Sequence, residues 1–117
     1  MTTVPIVVSV LVAFGFVMIG LAKVQELPAS AAVRDRVGVS PALWRTLGVV
    51  ELVAAAALVV GVIALPVLAM TALVGLALLT GGAVVAHLRV SDRPGAVPAA
   101  VLMVTCLVDL WLVAQFR

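Results

Sequence analysis

Residues Trp44–Val62 read WRTLGVVELVAAAALVVGV. The run is about as long and as apolar as a helix that crosses a bilayer, which needs roughly 20 such residues. Glu51 lies inside it. A charged side chain at the centre of a spanning helix costs roughly 2.5–3.5 kcal/mol on insertion scales. A partner on a neighbouring helix, a bound ligand or protonation has to offset that cost. An ionisable residue at this depth is a functional candidate by default, so the remaining residues are read for what Glu51 meets.

Working outward, 66% of the 117 residues are hydrophobic, and the mean hydropathy is +1.41. Soluble domains are about 45–50% apolar, and a small globule has too much surface to hide this excess. The chain is expected to be an integral membrane protein of the all-α class, a single domain over 1–117 forming a transmembrane four-helix bundle. Seven Lys and Arg give a net charge of +2, but they sit at helix ends and form no basic stripe, which excludes nucleic acid as a partner. The lone Cys106 permits no intrachain disulfide and no CxxC redox pair. Arg outnumbers Lys six to one amid abundant Ala and Val, a composition that predicts a bacterial plasma membrane as the setting.

Spans are expected at about 4–22, 42–62, 67–88 and 96–116. The first run has no Lys or Arg ahead of it, so it reads as a span rather than a cleaved signal. Ser9, Ala13, Phe16 and Gly20 share one mostly small side that suits close helix packing. The polar loop 23–41 is expected to hold a short interfacial helix near Ala31–Val37, and Ser40-Pro41 is a start signal for the second span. Leu47, Gly48, Glu51, Ala54, Ala55 and Leu58 share the face that turns inward. The short link at Ala64-Leu65-Pro66 makes spans two and three antiparallel neighbours. Ser91-Asp92-Arg93-Pro94-Gly95 reads as a turn, and Trp44 and Trp111 suit the membrane interfaces. Lys23, Arg34, Arg36, Arg45, Arg89 and Arg93 fall on one side, with only Arg117 on the other. Loops 23–41 and 89–95 are therefore expected to be cytoplasmic and both termini outside. Asp35–Ala42 and Asp92–Ala99 agree at five of eight positions, a weak internal similarity of the kind parallel repeats produce.

Glu51 lies about 13 Å along its helix from Ala42 at ~1.5 Å per residue. Lys23, Arg45 and His87 start near the same boundary, and long cationic side chains reach several Å along a helix. These four are expected to converge in the cytoplasmic half, with Glu51 and His87 as acid–base residues and Lys23 and Arg45 as binding residues. Asp109, about 19 Å along the fourth helix, forms a second polar point and a further binding candidate. The plain readings are interfacial anchoring for Lys23 and Arg45, helix capping for His87, and for Asp109 a hydrogen bond from Thr105 or, in the protonated form, a link between helices. One His and scattered carboxylates make no metal-ligand spacing.

Gly20-Leu21-Ala22-Lys23 closes the first span, Arg45-Thr46-Leu47-Gly48-Val49-Val50-Glu51-Leu52 opens the second, and Gly82-Ala83-Val84-Val85-Ala86-His87-Leu88-Arg89 closes the third. In this order they resemble the DoxX-like family of small four-helix membrane proteins, over nearly the whole chain. The resemblance implies that Lys23, Arg45, Glu51 and His87 are the family's polar set; Asp109 is not part of it. It also implies an association with redox chemistry, since the family takes its name from a subunit associated with thiosulfate:quinone oxidoreductase.

The leading expectation is a redox-associated membrane subunit that binds a quinone or similar lipophilic molecule, with electrons carried by a partner. A stand-alone enzyme performing acid–base isomerisation, cyclisation or epoxide opening on a lipophilic substrate is the alternative. A scaffold with Glu51 locked to Lys23 or Arg45 stands beside them, as does a small transporter, although the first helix lacks the carboxylate that small multidrug transporters carry there. The lipid bilayer is a partner throughout, and four short helices favour a homo-oligomer or a partner subunit.

Overall fold

The computed structural model describes residues 3–116. Arg117, the one charge assigned to the outer side, lies outside the described residues. The chain forms α1 (Thr3–Val24), α2 (Pro28–Val37), α3 (Pro41–Ala64), α4 (Pro66–Arg89) and α5 (Arg93–Phe116), and the described residues include no strand. Four of the five helices, all but α2, are long and apolar enough to span a membrane. The protein is therefore all-α, a bundle of spanning helices with one short polar helix at its charged end.

Local chemistry sets the helix ends. Ser40 caps α3 by accepting a hydrogen bond from the Leu43 N–H at 3.2 Å, with Pro41 in the first turn where its missing N–H is harmless. Gly38 closes α2 in the left-handed conformation (φ 74°), which a residue without a β-carbon adopts freely. Only Leu65 separates α3 from α4. The corner is tight enough that a β-carbon on Gly61 would overlap the Ala69 backbone.

The fourth span begins earlier than the sequence suggests, at Arg93 rather than near Ala96. The physical reason is Asp92, whose Oδ1 accepts from the Gly95 N–H at 3.1 Å while its backbone oxygen accepts from Ala96 at 3.1 Å. That is an N-cap, and it draws Pro94 and Gly95 into the first turn. Pro98 then falls inside α5.

In the packing, α1 lies along α3, α4 along α5, and α3 along α4, while the α1–α5 seam is sparser. Phe16, Leu58, Val62, Leu73, Leu76, Cys106 and Val113 make the buried centre. Ser9, Ala13, Phe16 and Gly20 on α1, and Gly48, Glu51, Ala55 and Leu58 on α3, all point into it. Gly75 and Gly82 on α4 face outward instead.

Candidate functional site

Two glycines bring α1 and α3 together at the charged end of the bundle. A β-carbon on Gly20 would stand 2.8 Å from the Gly48 carbonyl oxygen, and one on Gly48 would stand 2.8 Å from that of Gly20. Neither position has room for a side chain. One turn further along each helix, Lys23 and Glu51 form an ion pair across this contact. Glu51 is 2% exposed, so the Lys23 ammonium is the group that meets the intramembrane carboxylate.

Trp44 stands beside the pair. Its ring centroid is 4.6 Å from Lys23 Nζ, a cation–π contact, and its Nε1–H donates to Ser30 Oγ at 2.8 Å. Trp44 is buried within the bundle: the ring packs on Lys23 and the indole N–H finds an acceptor on α2. Trp111, at 59% exposed, lies on the bundle's outer face.

The pair opens onto a cavity of about 300 Å³, at the lower end of the ~300–1,000 Å³ typical of small-molecule sites. Phe16, Ile19, Trp44, Leu79 and Leu102 form much of its apolar wall. Lys23, Glu51 and His87 supply its ionisable groups. Leu78, 72% exposed and midway along α4, also lines it.

His87 does not stand alone. Its Nδ1 lies 2.7 Å from Asp92 Oδ2, and Arg36 Nη1 of α2 lies 3.3 Å from the same oxygen. The His87 hydrogen bond holds the Asp92 carboxyl below the usual carboxylate range; the Gly95 N–H and Arg36 add to this, against an opposing contribution from burial. A β-carbon on Gly95 would overlap both Asp92 Oδ2 and His87 Nδ1. Gly95 is therefore the space that lets the two side chains meet.

Arg45 and Asp109 lie elsewhere. Arg45 is exposed and lines a separate shallow groove with Val24, Ala42, Thr46 and Val49, so it does not join Lys23, Glu51 and His87. Its helical position, one residue past Trp44, turns it away from the face that Trp44 buries. Asp109 is fully buried away from the cavity, with both carboxylate oxygens 2.9 Å from Ser9 Oγ. The expected donor, Thr105, bonds back to the Val101 carbonyl at 2.7 Å instead.

A family model described as the DoxX-like family matches residues 7–108. The chain belongs to the DoxX-like family. No curated protein and no solved structure matches it. As a DoxX-like protein with four helices of spanning length, it is a small integral membrane protein of the multi-pass kind. The matched region contains Lys23, Arg45, Glu51, His87 and Asp92 and stops one residue before Asp109.

Sequence reasoning passed over Asp92, Trp44 and Ser9 as site residues. Asp92 carried a usable signal: an Asp three residues before Gly95, with Pro94 between, is a capping pattern like Ser40-Pro41. The internal similarity also contained it, but its two copies serve different ends. Asp35 is exposed and pairs with its neighbour Arg34 at 3.0 Å, whereas Asp92 caps α5 and holds His87.

Proposed function

We propose that this DoxX-like protein is a redox-associated membrane subunit whose cavity binds a quinone or similar lipophilic molecule. The observation that carries the reading is the cavity itself: an apolar wall, three ionisable side chains, and among its lining residues Leu78, which is exposed on the outside of α4. A ligand dissolved in the bilayer would enter at Leu78 without crossing water. Its ring would lie against Phe16 and Trp44, and its polar groups would meet Lys23, Glu51 and His87.

The residues fit a quinone head. An ammonium donates a hydrogen bond to a carbonyl oxygen, and a carboxylate and an imidazole can hold the protons that accompany its reduction. Electrons would come from a partner, because one cysteine and one histidine do not make a cluster-binding or haem-binding set. The Arg-rich end that carries α2 would face the cytoplasm by the positive-inside rule.

The test is mass-spectrometric and absorbance analysis of lipophilic molecules that copurify in mild detergent, comparing wild type with Glu51→Gln. A quinone retained by wild type and lost from the variant is the expected result. No Glu51-dependent molecule in either preparation would leave the Lys23–Glu51 pair as a structural lock and overturn the reading.

A second reading is favoured by the pairing of His87 with Asp92, an arrangement that orients an imidazole for proton transfer. The protein would then be a stand-alone enzyme working by acid–base chemistry on a lipophilic substrate. Copurification of a Glu51-dependent metabolite that is not a quinone would move the assignment there.

A further inference from the structure

His87 is the chain's single histidine, and its two ring nitrogens have different surroundings. Nδ1 faces Asp92 Oδ2 at 2.7 Å. An ionised carboxylate only accepts hydrogen bonds, so in the neutral ring the proton of this bond belongs to Nδ1. Asp92 is itself held on both oxygens: Oδ1 accepts from the Gly95 N–H, the bond that caps α5, and Arg36 lies against Oδ2. Gly95 keeps the space between them open. With Nδ1 committed, Nε2 is the nitrogen left to serve the cavity that His87 lines. The charged groups lining that cavity are Lys23 from α1 and Glu51 from α3, already paired with each other.

We infer that Asp92 is a positioning residue that fixes His87 as its Nδ1–H tautomer, so that Nε2 accepts a hydrogen bond from a hydroxyl on the cavity's ligand. This rests on the cavity-binding reading above and narrows it. The preferred ligand is a hydroxyl-bearing lipophile, of phenol or quinol type, with the hydroxyl at the His87 end. A molecule that offers only acceptors there would face a lone pair with a lone pair. Binding the hydroxylated form more tightly would suit a site that takes up or releases the reduced member of a redox couple.

Asp92→Asn gives a sharp test because the geometry dictates what the amide does. Its oxygen stays on the Gly95 N–H, which needs an acceptor, and its NH2 then faces His87 Nδ1. Nδ1 must become the acceptor, and the proton moves to Nε2. Arg36, whose side chain is half-exposed, can turn away into water. The variant therefore changes the His87 end of the cavity from acceptor to donor without altering the shape of residue 92.

Two measurements on the full chain in mild detergent decide the matter. The first is nitrogen NMR on protein labelled at histidine, without ligand and with the ring neutral, where one histidine gives one pair of resonances. Wild type should show a protonated Nδ1 and a bare Nε2, and Asp92→Asn the reverse. A wild type with its proton on Nε2 overturns the inference. The second compares binding of 1-naphthol with that of 1-methoxynaphthalene, which has the same ring system but no donor. Wild type should favour the naphthol by about tenfold, the equivalent of about 1.4 kcal/mol, and Asp92→Asn should lose that preference. Equal binding by wild type, with the tautomer as expected, removes the claim about the ligand's hydroxyl. If neither probe binds while the tautomer is as expected, the cavity-binding reading fails and Asp92 is left as a structural cap.

Discussion

Gly20 on α1 and Gly48 on α3 approach until each would force the other's carbonyl oxygen to within 2.8 Å of an added β-carbon. Each lies three residues before a charged partner, Lys23 and Glu51, so the same helical face that closes the backbones also aligns the ion pair. Small residues allow spanning helices this approach. Here the approach places a carboxylate and an ammonium together where water is scarce.

Replacing Gly20 or Gly48 by alanine therefore forces the helices apart. We expect a loss of about 1–3 kcal/mol, typical of overpacking, in reversible unfolding in mixed micelles. Gly75, which has nothing within 4 Å of an added β-carbon, is the control. Gly75→Ala should stay within about 1 kcal/mol of wild type and on the stabilising side.

Removing one member of the Lys23–Glu51 pair leaves the other charged and unpartnered. Lys23→Met should cost about 3–5 kcal/mol, while Lys23→Met with Glu51→Leu should recover most of it, because a buried pair is replaced by apolar groups. The measurement is a double-mutant cycle on unfolding free energy. A double variant no more stable than Lys23→Met would contradict the pairing.

Ser9 is the side chain hydrogen-bonded to buried Asp109. Ser9→Ala should destabilise by about 1–3 kcal/mol, the cost of leaving a buried polar group without its bond. Because Asp109 lies outside the cavity lining, copurification of the lipophilic molecule should be unchanged. Loss of that molecule from a folded Ser9→Ala protein would place Asp109 in the binding site.

At the other polar cluster, Gly95→Ala should separate His87 from Asp92, since its methyl group would occupy the space where they meet. The histidine nitrogen resonances should lose the signature of a protonated Nδ1. An unchanged spectrum would mean that the turn relaxes around the methyl group.

Asp92 also sets an acid limit. Its carboxyl is held below the ordinary value of 3.8, chiefly by His87. A carboxylate with a lower pKa folded than unfolded stabilises the fold fully above the ordinary value, and that stabilisation is lost as pH falls through the folded one. Carbon NMR of labelled aspartate should show Asp92 titrating below the ordinary value of 3.8. A midpoint at or above 3.8 would contradict the cap.

Much of the bundle was legible in the sequence. An excess of apolar residues in long runs has no low-energy home but a bilayer. Ser40-Pro41 announces the start of α3 because its hydrogen bond is made within one turn. Glu51 stands out because a charge at that depth requires a partner whatever the tertiary arrangement, and the motifs around Lys23, Glu51 and His87 are local enough to mark the DoxX-like family. Contacts between distant segments were not legible, because periodicity tells which face of a helix is buried but not what it meets. Ser9 and Asp109 are 100 residues apart in the chain and share a hydrogen bond. Arg45, one residue past buried Trp44, turns outward, while Lys23 reaches Glu51 across the Gly20–Gly48 contact. Asp92 looked like a turn residue, and only the close passage of α2, α4 and the start of α5 joins it to His87 and Arg36. The sequence by itself determined the spanning helices, the Ser40-Pro41 start of α3 and the need for a partner at Glu51, since these follow from local bonding and transfer free energies. The tertiary structure alone decided which groups answered that need, because hydrogen bonds and ion pairs depend on distances that only packing sets.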